Sequence, residues 1–167
     1  YFSLRNESPS LVPLSVGGAP SGANIFFNPA PLDGAPTQVF ARFGQLQLLQ
    51  ADDIDGLLVF DFNTDGVYNP GDAVVFTLAP GSPRLATIPG HSQVGAAADI
   101  FIARPGTATT TLIQAAALGL GAPTDDVDAL DLLPCPNGDL CAQQFGIRFR
   151  RGDLNCDGEV DFFDIDP

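Results

Sequence analysis

Two stretches of this chain space oxygen-bearing side chains as a hard divalent cation requires. In Asp153-Leu154-Asn155-Cys156-Asp157-Gly158-Glu159-Val160-Asp161-Phe162-Phe163-Asp164, Asp153, Asn155, Asp157, Asp161 and Asp164 stand at loop positions 1, 3, 5, 9 and 12. Gly158 holds position 6, where such a loop turns sharply, and Glu159 at position 7 offers its backbone carbonyl. Val160 at position 8 is apolar and can tie the loop to a core. This spacing wraps about six to eight oxygens around Ca²⁺. Position 12 is Asp instead of the usual Glu, which shortens its reach. The same grammar occurs earlier, in Asp61-Phe62-Asn63-Thr64-Asp65-Gly66-Val67-Tyr68-Asn69-Pro70-Gly71-Asp72. Its expected ligands are Asp61, Asn63, Asp65, the Val67 carbonyl, Asn69 and Asp72. Strand-like runs flank it, so it reads as a strand–loop–strand calcium site. Asn-Thr-Asp-Gly is also good turn chemistry, which leaves a long polar hairpin as the alternative.

Composition agrees with cation loops and excludes other chemistries. The net charge is −13, from seven basic and twenty acidic residues. Every base is Arg, and all acids but Glu7 and Glu159 are Asp. A generic acidic surface mixes Asp and Glu, whereas Asp excess points to turns and hard-cation loops. Nucleic acid needs a basic face, and an anionic membrane surface repels this balance. No apolar run approaches the roughly 20 residues of a membrane span. Catalysis lacks equipment: Glu159 belongs to a loop, Trp is absent, and a Ser/His/Asp set would rest on His91 in Gly90-His91-Ser92. No catalytic residues are expected. Asp52, Asp53 and Asp55, with Asp125, Asp126 and Asp128, either bind cations or guard turns and strand edges.

The C-terminal stretch Gly152-Asp153-Leu154-Asn155-x-Asp157-Gly158-x-Val160-Asp161-x-x-Asp164 resembles the dockerin calcium loop, a loop-then-helix variant of the EF-hand. The resemblance covers about a tenth of the chain and implies Ca²⁺ as the bound ion. The chain is also similar to tandem-repeat extracellular proteins of environmental bacteria that carry such terminal motifs; that likeness implies no activity.

Short β-branched and aromatic runs, bounded by turn formers, position these loops. They include Ile25-Phe26-Phe27, Gln38-Val39-Phe40-Ala41-Arg42-Phe43, Leu57-Leu58-Val59-Phe60, Val74-Val75-Phe76-Thr77-Leu78, Asp99-Ile100-Phe101-Ile102 and Thr109-Thr110-Thr111-Leu112-Ile113. Tyr1-Phe2-Ser3-Leu4, Leu130-Asp131-Leu132-Leu133 and Phe145-Gly146-Ile147-Arg148-Phe149-Arg150 read as strands too. This is an all-β pattern; the best helix candidate, residues 114–120, is short. The halves of the chain also match. Phe2-Ser3-Leu4 reappears as Phe76-Thr77-Leu78, and Ser8-Pro9-Ser10-Leu11 as Ser82-Pro83-Arg84-Leu85. Ala23-Asn24-Ile25-Phe26 reappears as Ala98-Asp99-Ile100-Phe101, and Leu46-Gln47-Leu48 as Leu118-Gly119-Leu120. Asp52-Asp53-Ile54-Asp55-Gly56-Leu57 reappears as Asp125-Asp126-Val127-Asp128-Ala129-Leu130. The expectation is two homologous units of about four strands each, 1–72 and 73–167, arranged as a β-sandwich. A propeller-like tandem is the alternative.

Cys135 and Cys141 bracket Pro136-Asn137-Gly138-Asp139 within a hairpin at 134–152; they either close a small disulfide ring or remain buried thiols, and Cys156 is left over. With no initiator Met or signal peptide, the chain is expected to be a processed product or a piece of something longer. The functional expectation is a secreted, calcium-stabilised structural repeat protein, a subunit or segment of an extracellular filament or cell-surface assembly. Its partners would be copies of itself, head to tail, with the C-terminal loop at the junction; nucleic acid and membrane insertion are excluded. An adhesion or carbohydrate-binding module, with glycans as partners, and a fragment of a secreted hydrolase are the alternatives.

Overall fold

The computed structural model describes residues 1–131, of which Tyr1–Leu130 form one compact unit. The expected strands beyond residue 131, the Cys hairpin 134–152 and the loop 153–164 lie outside the described residues. The described chain is mostly β, with little helix. Strands β1 (Ile25–Phe27) and β2 (Gln38–Ala41) make a two-stranded antiparallel sheet. Strands β3 (Ile54–Phe60), β4 (Ala73–Leu78), β5 (Ile100–Ala103) and β6 (Thr110–Ile113) make a four-stranded antiparallel sheet in that order.

β4 and β5 are inner strands, and all their residues are buried, which is why both read as unbroken apolar runs. The two sheets share one core: Ile25, Phe40 and Ala41 pack in the same cluster as Val74, Phe76 and Phe101. Phe76 and Phe101 are fully buried with ring centroids 5.8 Å apart. Each such side chain contributes roughly 2–3 kcal/mol through burial.

One strand of each sheet, β1 and β5, begins next to a buried polar anchor. Asn24 accepts from the Phe43 N–H at 3.0 Å and donates to the Ala19 carbonyl at 3.0 Å. Asp99 accepts from the Ala115 N–H at 2.7 Å and from the Ser92 N–H and hydroxyl. Both anchors are 0% exposed. Sheet registers beside them are alike. β1 pairs Ile25 with Ala41 and Phe26 with Val39 across a bulge. β5 pairs Ile100 with Ile113 and Phe101 with Thr111, also across a bulge.

Three differences from the sequence reading have local causes. Residues 1–4 form a single bridge, Phe2 to Phe26, in place of a full strand. Residues 114–120 hold only a 3-10 turn, Ala115–Leu118, which Gly119 ends in the left-handed region at φ 75°. A one-turn helix α1, Leu11–Leu14, was not expected at all. On either side of loop 61–72, β3 pairs with β4 from Ile54↔Leu78 to Phe60↔Ala73.

Asp99→Ala orphans three donors, the buried Ala115 N–H and the part-buried Ser92 N–H and hydroxyl, and should cost about 3 kcal/mol in urea unfolding. The exposed Asp33→Ala should stay within about 0.5 kcal/mol. Equal losses for the two variants would contradict the anchoring role.

Candidate metal centre

Loop 61–72 closes the β3–β4 hairpin. Its path needs left-handed backbone at Thr64 (φ 57°), Gly66 (φ 72°) and Gly71 (φ 112°). At Gly66 a Cβ would meet the Phe27 ring at 2.5 Å, so only glycine fits. A β-branched residue rarely adopts the Thr64 conformation, and holding it there stores strain.

The neck of the loop is fastened first. Asp72 is 2% exposed and accepts from the Phe62 N–H at 3.2 Å and the Asn69 N–H at 2.8 Å. Tyr68, at the apolar position 8, is buried against Phe40, with ring centroids 5.8 Å apart. Its N–H donates to the Phe40 carbonyl at 3.1 Å.

The tip then gathers four of the expected ligands. The Asn63 amide donates to Asp65 Oδ2 at 2.9 Å and to Asn69 Oδ1 at 3.2 Å. The Asn69 amide donates to Asp65 Oδ2 at 2.8 Å and to the Val67 carbonyl at 2.9 Å. Two amide nitrogens thus sit among oxygens of Asp65, Val67 and Asn69. A half-turn of either amide would exchange its nitrogen for oxygen in place. Asp61 lies at the start of the loop. Its Oδ2 accepts from the Tyr1 hydroxyl at 2.5 Å and the Gly66 N–H at 2.9 Å. Its Oδ1 is buried and has no hydrogen-bond partner.

Partial burial works against the Asp61 charge, but hydrogen bonds from the Tyr1 hydroxyl and the Gly66 N–H, with the nearby N–H dipoles of Asp65 and Thr64, hold its pKa below the ordinary value. This group therefore adds stability above the ordinary carboxylate range, and that stability is lost as pH falls through the lowered value. Tyr1 is affected the opposite way: burial first, then Asp61, raises its phenol pKa. Burial first, then Asp72, raises Tyr68.

The chemistry of the donor set fits a hard cation: Asp61 brings an orphaned carboxylate oxygen, and Asn63, Asp65, Val67 and Asn69 bring amide, carboxylate and main-chain carbonyl oxygens that meet at the tip. Asp72 is placed differently from a ligand, since both its oxygens serve the backbone of the neck. No group of three or more His, Cys, Asp or Glu side chains is gathered for a metal among the described residues. The donor set of this loop is mixed, with amides and a main-chain carbonyl. Asp153, Asn155, Asp157, Glu159, Asp161 and Asp164 lie outside the described residues, as do Cys135, Cys141 and Cys156.

The paired Asp clusters divide by role. Asp52 is fully buried, with one oxygen on the Leu49 N–H at 2.6 Å and the other on the Arg84 N–H at 2.9 Å. Asp125 accepts from the Gly121 and Ala122 N–H groups at 2.6 and 2.7 Å. Asp53 accepts from the Asn6 N–H at 3.2 Å, and burial raises its pKa. Burial, then Asp55, raises Asp126. His91 engages the Ile88 carbonyl through Nδ1 at 2.9 Å, while the Ser92 hydroxyl is held by Asp99. Among the described residues no helix is long and apolar enough to cross a membrane.

Tyr1 was not foreseen as part of the loop. Its ring stacks on Phe27 at 4.8 Å, which delivers the hydroxyl to Asp61. Only its alignment with the apolar Val75, where a hydroxyl is out of place, marks it in the sequence.

Comparison of the chain with protein-family models, curated proteins and solved structures finds no match.

The two tyrosines should both ionise above the ordinary phenol value of about 10 in absorbance titration. Asp61→Asn should bring the Tyr1 step down towards that value. Two ordinary phenol titrations in the folded protein would contradict the Tyr1–Asp61 contact.

Proposed function

We propose that the chain is a calcium-stabilised structural repeat protein that serves outside cells as a segment of a larger assembly, with Ca²⁺ in loop 61–72 and loop 153–164. The observation that carries this reading is a pair of matching hydrogen-bond networks with loop 61–72 at their joint. The Leu49 N–H bonds Asp52 at 2.6 Å, and the Ala122 N–H, three residues before the Asp52 counterpart Asp125, bonds Asp125 at 2.7 Å. The Leu48 N–H bonds the Phe43 carbonyl at 2.8 Å, and the Leu120 N–H bonds the Ala115 carbonyl at 2.9 Å. Gln47 adopts φ 56° where Gly119 adopts φ 75°. The Asn24–Phe43 and Asp99–Ala115 contacts correspond, as do the Phe2–Phe26 and Phe76–Phe101 pairings. Most of these positions lie in blocks that the sequence equates, with Phe43/Ala115 and Leu49/Ala122 just outside them, which supports two copies of one unit. Such units suit mechanical or scaffolding work, since each stabilises its neighbour.

Calcium at the joint would neutralise carboxylates that otherwise repel, and its binding energy would add to folding energy. Loops of modest affinity stay filled where calcium is millimolar, outside cells.

Calorimetry tests this reading. Calcium at about 100 times its Kd adds about 2.7 kcal/mol. For a domain of this size that is a rise in Tm of roughly 5–10 °C over the chelated protein. Asp61→Ala with Asp65→Ala should remove part of that rise and leave the share of loop 153–164. Identical melting in calcium and in EDTA would contradict the proposal.

A further inference from the structure

We propose that residues 127–130 of one copy add as a strand to the outer edge of residues 1–4 of a second copy, so that copies join head to tail by strand addition. The inference rests on the repeat reading above and deepens it by naming both halves of the junction. Its template lies inside the chain. β3 pairs with the outer edge of β4, while β5 takes the other edge. Residues 1–4 are the sequence counterpart of the second half of β4, and Phe2 bonds Phe26 just as Phe76 pairs with Phe101. Residues 127–130, Val-Asp-Ala-Leu, are the counterpart of Ile54-Asp55-Gly56-Leu57 in β3. Among the described residues the chain therefore carries one filled junction and two halves of another that are not paired with each other.

One hydroxyl defines the junction. Thr77 Oγ1 donates to the Val127 carbonyl and accepts from the Gly56 N–H at 2.7 Å. Ser3 is its counterpart. Ser3 Oγ donates to the Ile54 carbonyl at 3.4 Å, the counterpart of the first bond. The counterpart of the second bond would come from the Ala129 N–H of another copy. The same register sets Val127 opposite Leu4 and Leu130 opposite Phe2, as Ile54 stands opposite Leu78 and Leu57 opposite Phe76.

Burial agrees with two unmated halves. Every residue of β4 is buried, whereas Tyr1 is exposed and Phe2, Ser3 and Leu4 are half-buried. In β3, Ile54 and Gly56 are buried; their counterparts Val127 and Ala129 are half-buried and exposed. An extended segment that meets an open edge gains main-chain hydrogen bonds, with side-chain pockets setting register. The donating and accepting surfaces differ, so the contact does not close on itself and copies form an open chain. Four residues make a short ladder, so the association is weak and visible only at high protein concentration.

Sedimentation velocity on the full chain in calcium buffer tests this, over concentrations rising to the millimolar. The expected result is a sedimentation coefficient that grows with concentration. Ala129→Pro, which removes the donor N–H at an exposed position, should abolish the growth with Tm unchanged. Ser3→Ala, on the accepting side, should weaken association severalfold and guards against a folding defect in the first variant. A monodisperse monomer throughout would overturn the proposal, as would growth that neither variant alters. Monomeric protein that calcium still stabilises would sink this junction alone. Intact association without calcium stabilisation would instead sink the function proposed above.

Discussion

The pairing of β3 with β4 is the interaction on which the other features depend. It is the longest ladder among the described residues, running from Ile54↔Leu78 to Phe60↔Ala73. It adds β3 to a sheet whose remaining strands come later in the chain, so residues before and after the hairpin share one core. It also fixes where loop 61–72 starts and ends. With Phe60 held opposite Ala73, twelve residues must turn between two fixed points, and glycine and Thr64 take left-handed backbone to do it. Asn63, Asp65, Val67 and Asn69 come together at the tip of that turn.

Charge is the second constraint, since a chain of net charge −13 must fold without concentrating repulsion. The described fold answers with backbone N–H groups. Asp52, Asp72 and Asp99 are all buried, and each spends both oxygens on hydrogen bonds, chiefly from the main chain. Such carboxylates hold segments together and leave little for a ligand. Asp53 and Asp61 depart from this rule, each with one buried oxygen unpartnered, and Asp61 does so at the start of a loop rich in oxygen. A satisfied acid reads as architecture, and the orphaned Asp61 is the acid that the proposed cation in loop 61–72 would use.

Much of the fold was legible because short β-branched and aromatic runs between turn formers have few other uses. β1 and β4 to β6 lie where such runs stand, and β2 ends two residues before its run does. Residues 1–4 could not be read so simply, since a strand needs a partner on its edge and theirs has one bridge. Asp52 was opaque for a related reason: its donors come from Leu49 and from the distant Arg84. In the loop, spacing marked the positions that gather at the tip. It did not reveal that Asp72 would turn to the neck, because Asn69 and Phe62 supply donors only once the hairpin is closed.

Terbium luminescence tests the central claim most directly. Tyr1 and Tyr68 are the only tyrosines and Trp is absent; Tyr68 lies within loop 61–72 and Tyr1 bonds Asp61 at its start. Tb³⁺ replaces Ca²⁺ at oxygen sites and emits when a nearby tyrosine is excited. The account predicts tyrosine-sensitised emission that excess Ca²⁺ displaces and that Asp61→Ala with Asp65→Ala abolishes. Absence of sensitised emission from the folded wild-type chain, or emission unchanged in that variant, would contradict a cation in this loop.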